Sequence, residues 1–127
     1  MSADLDPDGM FAVASDFRWS QQLTQGELTV RLSGELDMRG WEELFRRLRL
    51  LPLSGEDGVT SIVLDLSGLR FLDGHSAALI ADAADQVRRF PGTLRVVGIN
   101  GLPYKVFDIL GLLGLLAQPV QEETDEV

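Results

Sequence analysis

Ile62-Val63-Leu64-Asp65-Leu66 is the stretch of sequence that decides the fold. All of its side chains except that of Asp65 are apolar, and its length is that of a strand. A run with so little alternation is typical of a strand that is buried on both faces, as in parallel sheets covered by helices. The stretch therefore predicts a central strand of an α/β domain.

The residues before this strand predict a hairpin followed by a helix. Apolar and polar residues alternate over residues 28–36, the pattern of a half-buried strand. Residues 17–22 predict a short edge strand, and residues 23–27 the turn between the two. A helix with early acidic and late basic residues follows and ends at Pro52, before a loop over residues 54–58. Its apolar stripe consists of Trp41, Leu44, Phe45, Leu48 and Leu51.

The residues after the central strand predict two more helices and a further strand. A short loop over residues 67–72 leads to a helix with the apolar stripe Ala77, Ile80, Ala84 and Val87. Pro91-Gly92 ends that segment, and residues 94–99 form the next strand. A third helix follows Asn100, ends at Gly114, and precedes a short strand over residues 115–117. This alternation predicts a mostly parallel sheet with helices packed on it.

Size, charge and residue usage limit the classes of function. The 127 residues, 45% hydrophobic and 24% charged, predict one globular domain over residues 15–117. Residues 1–14 are expected to be a disordered arm, and residues 118–127 an acidic tail. A net charge of −9 disfavours nucleic acid and anionic membranes as partners, and leaves open a basic protein surface or solubility alone.

Cysteine usage and hydropathy predict the compartment. The chain has no cysteine, which excludes disulfides and thiolate metal sites and fits a reducing cytosol. Its N-terminus does not have the pattern of a signal peptide, and no apolar run approaches the length that spans a bilayer. The protein is therefore expected to be cytoplasmic. Because the sequence has one histidine and no cluster of metal-ligand residues, neither a metal nor a cofactor is expected.

Asp73-Gly74-His75-Ser76 is the candidate binding loop. Asp73 is a good N-cap, since its carboxylate can accept a backbone N–H from the first turn of the helix that follows. The loop lies at the carboxyl end of the predicted sheet, the edge at which open α/β sheets bind ligands and partners. Asp37 ends the preceding strand near the same rim, either as a helix cap or as a partner contact.

Three stretches resemble one family in order and spacing. Leu32-Ser33-Gly34-Glu35-Leu36-Asp37 resembles the Gly-Glu-Leu-Asp strand end of the STAS domain (sulfate transporter and anti-sigma-factor antagonist), and residues 63–73 resemble its core. Leu94-Arg95-Val96-Val97-Gly98 and the helix after it resemble its last strand and helix. The resemblance covers residues 28–117 and implies a small, mixed, mostly parallel sheet with helices mainly on one side.

The resemblance also implies a role and a site. Free-standing members are typically bacterial regulators that bind an anti-sigma factor, often a serine kinase, and thereby free a sigma factor. In the usual pattern Asp is followed by Ser-Ser-Gly, and the second Ser accepts phosphate. Here Asp73 matches the Asp, Gly74 the first Ser, and His75 the acceptor. Ser76, the only nearby hydroxyl at the helix start, is a candidate acceptor that lies about 100° further around the helix.

Three hypotheses for function follow, and catalysis is not among them. His75 and Ser76 are neighbours on a helix start, whereas a catalytic base and nucleophile normally converge from separate elements. The first hypothesis is an anti-sigma-factor antagonist that contacts its partner, an anti-sigma factor or kinase, through Asp37, Asp73, Gly74, His75 and Ser76. The second is a STAS adaptor that is never phosphorylated, and the third a small-ligand sensor. The sequence does not give the oligomeric state.

Overall fold

The computed structural model describes residues 16–52, 58–87 and 93–116. The predicted arm, the predicted tail and the Pro91-Gly92 break lie outside these ranges, as does the predicted loop over residues 54–58 except for Gly58. Four strands, three α-helices and two short 3₁₀ helices are found within them. In chain order they are β1 (Arg18–Thr24), β2 (Glu27–Leu36), a 3₁₀ turn (Met38–Gly40), α1 (Trp41–Arg49), β3 (Ser61–Leu72), α2 (Gly74–Val87), β4 (Thr93–Val97), α3 (Gly101–Ile109) and a 3₁₀ turn (Leu113–Leu115).

The predicted hairpin is confirmed, with a longer edge strand and a tighter turn. β1 pairs antiparallel with β2 along its whole length, from Arg18 opposite Ser33 to Thr24 opposite Glu27. The turn is reduced to Gln25 and Gly26, which have φ values of 50° and 83°. Positive φ at both central residues matches the right-handed twist of the two strands, so a two-residue turn closes the hairpin.

The sheet has the order β1-β2-β3-β4, and both β2–β3 and β3–β4 are parallel. The predicted loop over residues 67–72 is wrong, because β3 continues through it to Leu72. One register shift against β2 absorbs the irregular Ser67-Gly68 step and a second one lies at Arg70, while Leu69 and Leu72 remain buried. This extension brings the ends of β2 and β3 together, with Leu36 opposite Leu72.

Gly34 lies at the second register shift and allows the chain before β1 to approach closely. A Cβ atom on this residue would lie 1.8 Å from the carbonyl oxygen of Asp16, and its φ is +89°. A glycine at this position therefore permits both the irregular register and the close approach of the two chain segments.

The core lies on one face of the sheet, and ion pairs cross the other. Along β2 the side chains of Leu28, Val30 and Leu32 are buried, while the intervening side chains are more exposed. The buried side chains form one cluster with residues of α1, α2 and α3. On the opposite face Arg95 contacts Glu27 at 3.0 Å and Arg31 contacts Asp65 at 3.4 Å. The predicted fold class, a mixed and mostly parallel sheet with helices, is confirmed.

The end of the described chain differs from the prediction. α3 ends at Ile109, not near Gly114, and Gly111 with φ +74° turns the chain. A glycine just past the last turn commonly stops a helix in this way. Of the strand expected over residues 115–117, the described part contains a single bridge between Leu116 and Val96, preceded by the second 3₁₀ turn, and residue 117 lies outside the described residues.

Candidate functional site

Asp73 is the only residue between the end of β3 and the start of α2. Its backbone N–H donates to the carbonyl oxygen of Leu36 at 3.0 Å, which fixes the start of α2 beside the end of β2. Its own carbonyl oxygen accepts the N–H of Ala77 at 3.0 Å, the first hydrogen bond of α2. Backbone geometry therefore holds the predicted binding loop at the carboxyl edge of two adjacent parallel strands.

The Asp73 carboxylate joins the starts of two helices. Oδ1 accepts the backbone N–H of Ser76 at 2.8 Å, so the predicted N-cap is confirmed. The indole N–H of Trp41, the first residue of α1, donates to the same carboxylate, with Nε1 3.1 Å from Oδ1 and 3.0 Å from Oδ2. One side chain thus caps α2 and holds α1 against it.

Gly74 and His75 form the exposed part of the loop. The imidazole of His75 packs on the indole of Trp41, with ring centroids 4.1 Å apart and ring planes inclined at 44°. Gly74 lies beside α3's last turn, since a Cβ added to it would lie 3.7 Å from Cδ1 of Leu110. Leu110 is 46% exposed. The exposed His75, packed on the half-buried Trp41, and an exposed leucine therefore flank the bare backbone of Gly74.

In the first turn of α2, the side chain of Ser76 faces the core and not the solvent. Its side chain is completely buried, and Oγ has no hydrogen-bond partner within the described residues. A step of one residue rotates a helical side chain by about 100°, which here turns His75 outward and Ser76 into the core. In this conformation the hydroxyl is out of a kinase's reach, which counts against Ser76 as the phosphate acceptor.

Asp37 acts as a cap, one of the two roles left open by the sequence. Oδ1 accepts the backbone N–H of Arg39 at 3.0 Å and so begins the 3₁₀ turn that leads into α1. The Arg39 guanidinium also binds the carboxylate, with Nη2 2.7 Å from Oδ2. These hydrogen bonds from Arg39 lower the pKa of Asp37. A role in partner contact remains a prediction.

Trp41 is the site residue that the sequence did not single out. The helical pattern placed it in the buried stripe of α1, whereas it is half-buried and uses its indole N–H at the site. The signal was present, because a partly buried tryptophan usually requires an acceptor for this N–H. Phe45, assigned to the same stripe, is 47% exposed. We call Asp37, Trp41 and residues 73–75 the Asp73 rim; Ser76, which is completely buried, contributes only its backbone N–H to it.

The described residues contain no group of three or more His, Cys, Asp or Glu side chains that could hold a metal ion. Within the same ranges, no helix has the length and apolar character needed to cross a membrane.

Comparison with known proteins relates this fold to one family. The family model described as Mlab, STAS domain, matches residues 19–117. The anti-sigma F factor antagonist of Lysinibacillus sphaericus is 24% identical over 103 residues, which cover 81% of this chain and 86% of that protein.

Two solved structures share the fold. The anti-sigma factor antagonist SpoIIAA in its unphosphorylated form superposes with a TM-score of 0.63 at 22% identity, covering 84% of this chain and 90% of that one. An anti-sigma factor antagonist from Mycobacterium paratuberculosis gives a TM-score of 0.66 at 21% identity, covering 79% and 82% of the two chains. At these identities the likeness concerns the fold.

Proposed function

The chain belongs to the STAS domain family, and on that basis we propose that it is an anti-sigma-factor antagonist: it binds an anti-sigma factor and thereby frees a sigma factor. The relative from Lysinibacillus sphaericus is named an anti-sigma F factor antagonist, and both solved structures are of proteins named anti-sigma factor antagonists. This role requires a protein-binding surface and no catalytic group on this chain.

We place the binding surface at the Asp73 rim. The observation that supports this choice is the double use of the Asp73 carboxylate, which accepts both the Trp41 indole N–H and the Ser76 backbone N–H. These bonds fix the first turns of α1 and α2 relative to each other. A surface that is already rigid binds a partner with little further loss of conformational entropy. Gly74 and His75 remain exposed at its centre.

The partner class is a serine-kinase-type anti-sigma factor, as in the family's usual pairing. Two modes of control are possible for this pairing: a phosphate switch on this chain, or a constitutive adaptor that is never phosphorylated. The residues at the acceptor position favour the adaptor. His75 takes the place of the family's acceptor serine, and the neighbouring Ser76 is completely buried. On this view the partner's own state or concentration controls the complex.

A transcription assay tests the function. Purified RNA polymerase, a sigma factor and its cognate anti-sigma factor from the source organism are combined so that transcription is inhibited, and this protein is then added. We expect transcription to recover in proportion to the added protein. If every such pair from that organism stays inhibited, the antagonist role is wrong.

Mass spectrometry separates the two modes of control. The protein is incubated with each candidate anti-sigma factor and ATP, and its intact mass is measured. We expect a stable complex and an unchanged mass. A phosphate that is present on the wild type and lost in Ser76→Ala would instead establish the switch.

A further inference from the structure

The outward face of α1 carries a stripe of exposed side chains outside the Asp73 rim. Glu42, Phe45, Arg46, Arg49 and Leu50 line one open concavity of about 430 Å³. Their spacing of three and four residues places them along a single side of the helix. Phe45 is 47% exposed and Leu50 is 75% exposed. Aromatic and arginine side chains grouped in this way are typical of protein interfaces.

Some charged side chains of α1 form ion pairs within the chain, and others do not. Glu43 forms ion pairs with both Arg46 and Arg47. Glu42 and Arg49, the first and last charged residues of the stripe, have no ion pair with any of the described residues. Arg49 does contact Phe45, with its guanidinium carbon 5.5 Å from the ring centroid. A carboxylate at one end of the stripe and a guanidinium at the other are therefore available for a partner.

This arrangement of charges is complementary to itself when the helix is reversed. A two-fold axis that passes between Phe45 and Arg46, perpendicular to α1, lays α1 of a second copy antiparallel to the first. Glu42 then faces Arg49 of the second copy, and Arg49 faces its Glu42. Phe45 faces Arg46 of the second copy, a contact that a guanidinium and an aromatic face favour. Two-fold contacts of this kind are the commonest in soluble homo-oligomers.

From this self-complementarity we infer that α1 mediates an antiparallel homodimer, with a second copy of this chain as the occupant of the stripe. One pair of short helices buries a small area, so the dimer belongs to the weak, reversible class of interfaces. The inference is independent of the antagonist role, because the dimer forms between copies of this chain alone.

Charge-reversal variants test the inference. Self-association of the purified full chain is measured by sedimentation velocity at protein concentrations up to about 1 mM, which are high enough to detect a weak interface. Glu42→Arg places two arginines opposite each other, and Arg49→Glu places two glutamates. We expect each variant alone to self-associate at least about tenfold more weakly than the wild type, since opposed like charges are costly at an interface. Lys105→Glu, at an exposed position of α3, is the charge-reversal control for Arg49→Glu and should behave as the wild type.

Mixing the two variants makes the result specific. In an equimolar mixture, the arginine that Glu42→Arg introduces in one copy faces the glutamate that Arg49→Glu introduces in the other. At the opposite end of the stripe, the unchanged Arg49 of the first copy faces the unchanged Glu42 of the second. The mixture should therefore associate as the wild type does, and so should the double variant Glu42→Arg/Arg49→Glu alone. A wild type that remains monomeric over the whole range overturns the inference, as does a mixture or double variant that fails to associate.

Discussion

The indole nitrogen of Trp41 lies 3.1 and 3.0 Å from the two carboxylate oxygens of Asp73, a contact between residues 32 positions apart in the chain. The same carboxylate caps α2 through the N–H of Ser76. Removing the indole N–H would therefore leave the cap in place and free the start of α1.

Trp41→Phe keeps an aromatic side chain at this position but replaces the indole with a smaller ring that has no N–H donor. A hydrogen bond to a charged group contributes about 1.5–3 kcal/mol, so we expect a loss of about 1.5 kcal/mol in the free energy of unfolding. Urea denaturation measures it. Trp19→Phe is the matched control, since Trp19 Nε1 donates to the exposed Gln21 side chain at 2.9 Å. A loss within about 0.5 kcal/mol is expected there, and equal losses would contradict the account.

Ser76→Ala should leave the protein as stable as the wild type or more stable, by up to about 1 kcal/mol. The substitution removes a buried hydroxyl that lacks a partner and introduces the best helix former. Ser76→Asp places a charge in the same buried position and should cost at least about 2 kcal/mol. Urea denaturation of both variants checks this, and a clear destabilisation by alanine would show that Oγ is bonded in solution.

Gly34→Ala should destabilise the protein more than an alanine substitution at another glycine that also has a positive φ. The new Cβ would lie 1.8 Å from the Asp16 carbonyl oxygen, so the chain before β1 must move. Gly111→Ala is the control, because Gly111 has φ +74° and no described atom within 4 Å of an added Cβ. It should cost about 1 kcal/mol for the left-handed backbone alone, and Gly34→Ala at least about 1 kcal/mol more. Equal losses in thermal or urea unfolding would show that Asp16 does not lie against Gly34.

The acid dependence of stability should reveal the Asp37–Arg39 pair. Hydrogen bonds from Arg39 lower the pKa of Asp37 in the folded protein, so the stabilisation is complete above the unfolded pKa of about 3.9 and is lost as pH falls through the folded value. Asp37→Asn keeps a capping side chain and removes the titration. We expect the wild type's advantage over this variant in urea unfolding to be constant from about pH 7 to 5 and to shrink below about pH 4. An advantage that persists unchanged at about pH 3 would exclude the pair as its source.

Local rules were sufficient for much of the fold and for one part of the site. The two-residue period of β2 and the apolar run at Ile62 identified the strands, because side-chain alternation reports burial directly. The Asp73 cap followed from residue type and position, since its acceptor and donor are three residues apart. Each of these features depends on neighbours in the sequence.

The features that sequence reasoning missed depend on residues far apart in the chain. Ser67-Gly68 has the composition of a turn, and only the bulged register against β2 shows that the strand continues. Likewise, a helical period identifies an apolar stripe without revealing which of its edges is covered, so the exposure of Phe45 was not predicted. The contact between Trp41 and Asp73 requires both helix starts to be in place.

The most direct test of the account is calorimetric titration of the protein with the anti-sigma factor identified in the transcription assay. His75→Glu changes the exposed centre of the Asp73 rim, and Gln22→Glu introduces a carboxylate on the exposed edge strand β1 as the matched control. We predict that His75→Glu weakens binding at least about tenfold, or about 1.4 kcal/mol, and that Gln22→Glu binds as the wild type does. Equal affinity of His75→Glu and the wild type would contradict the placement of the binding surface at the Asp73 rim.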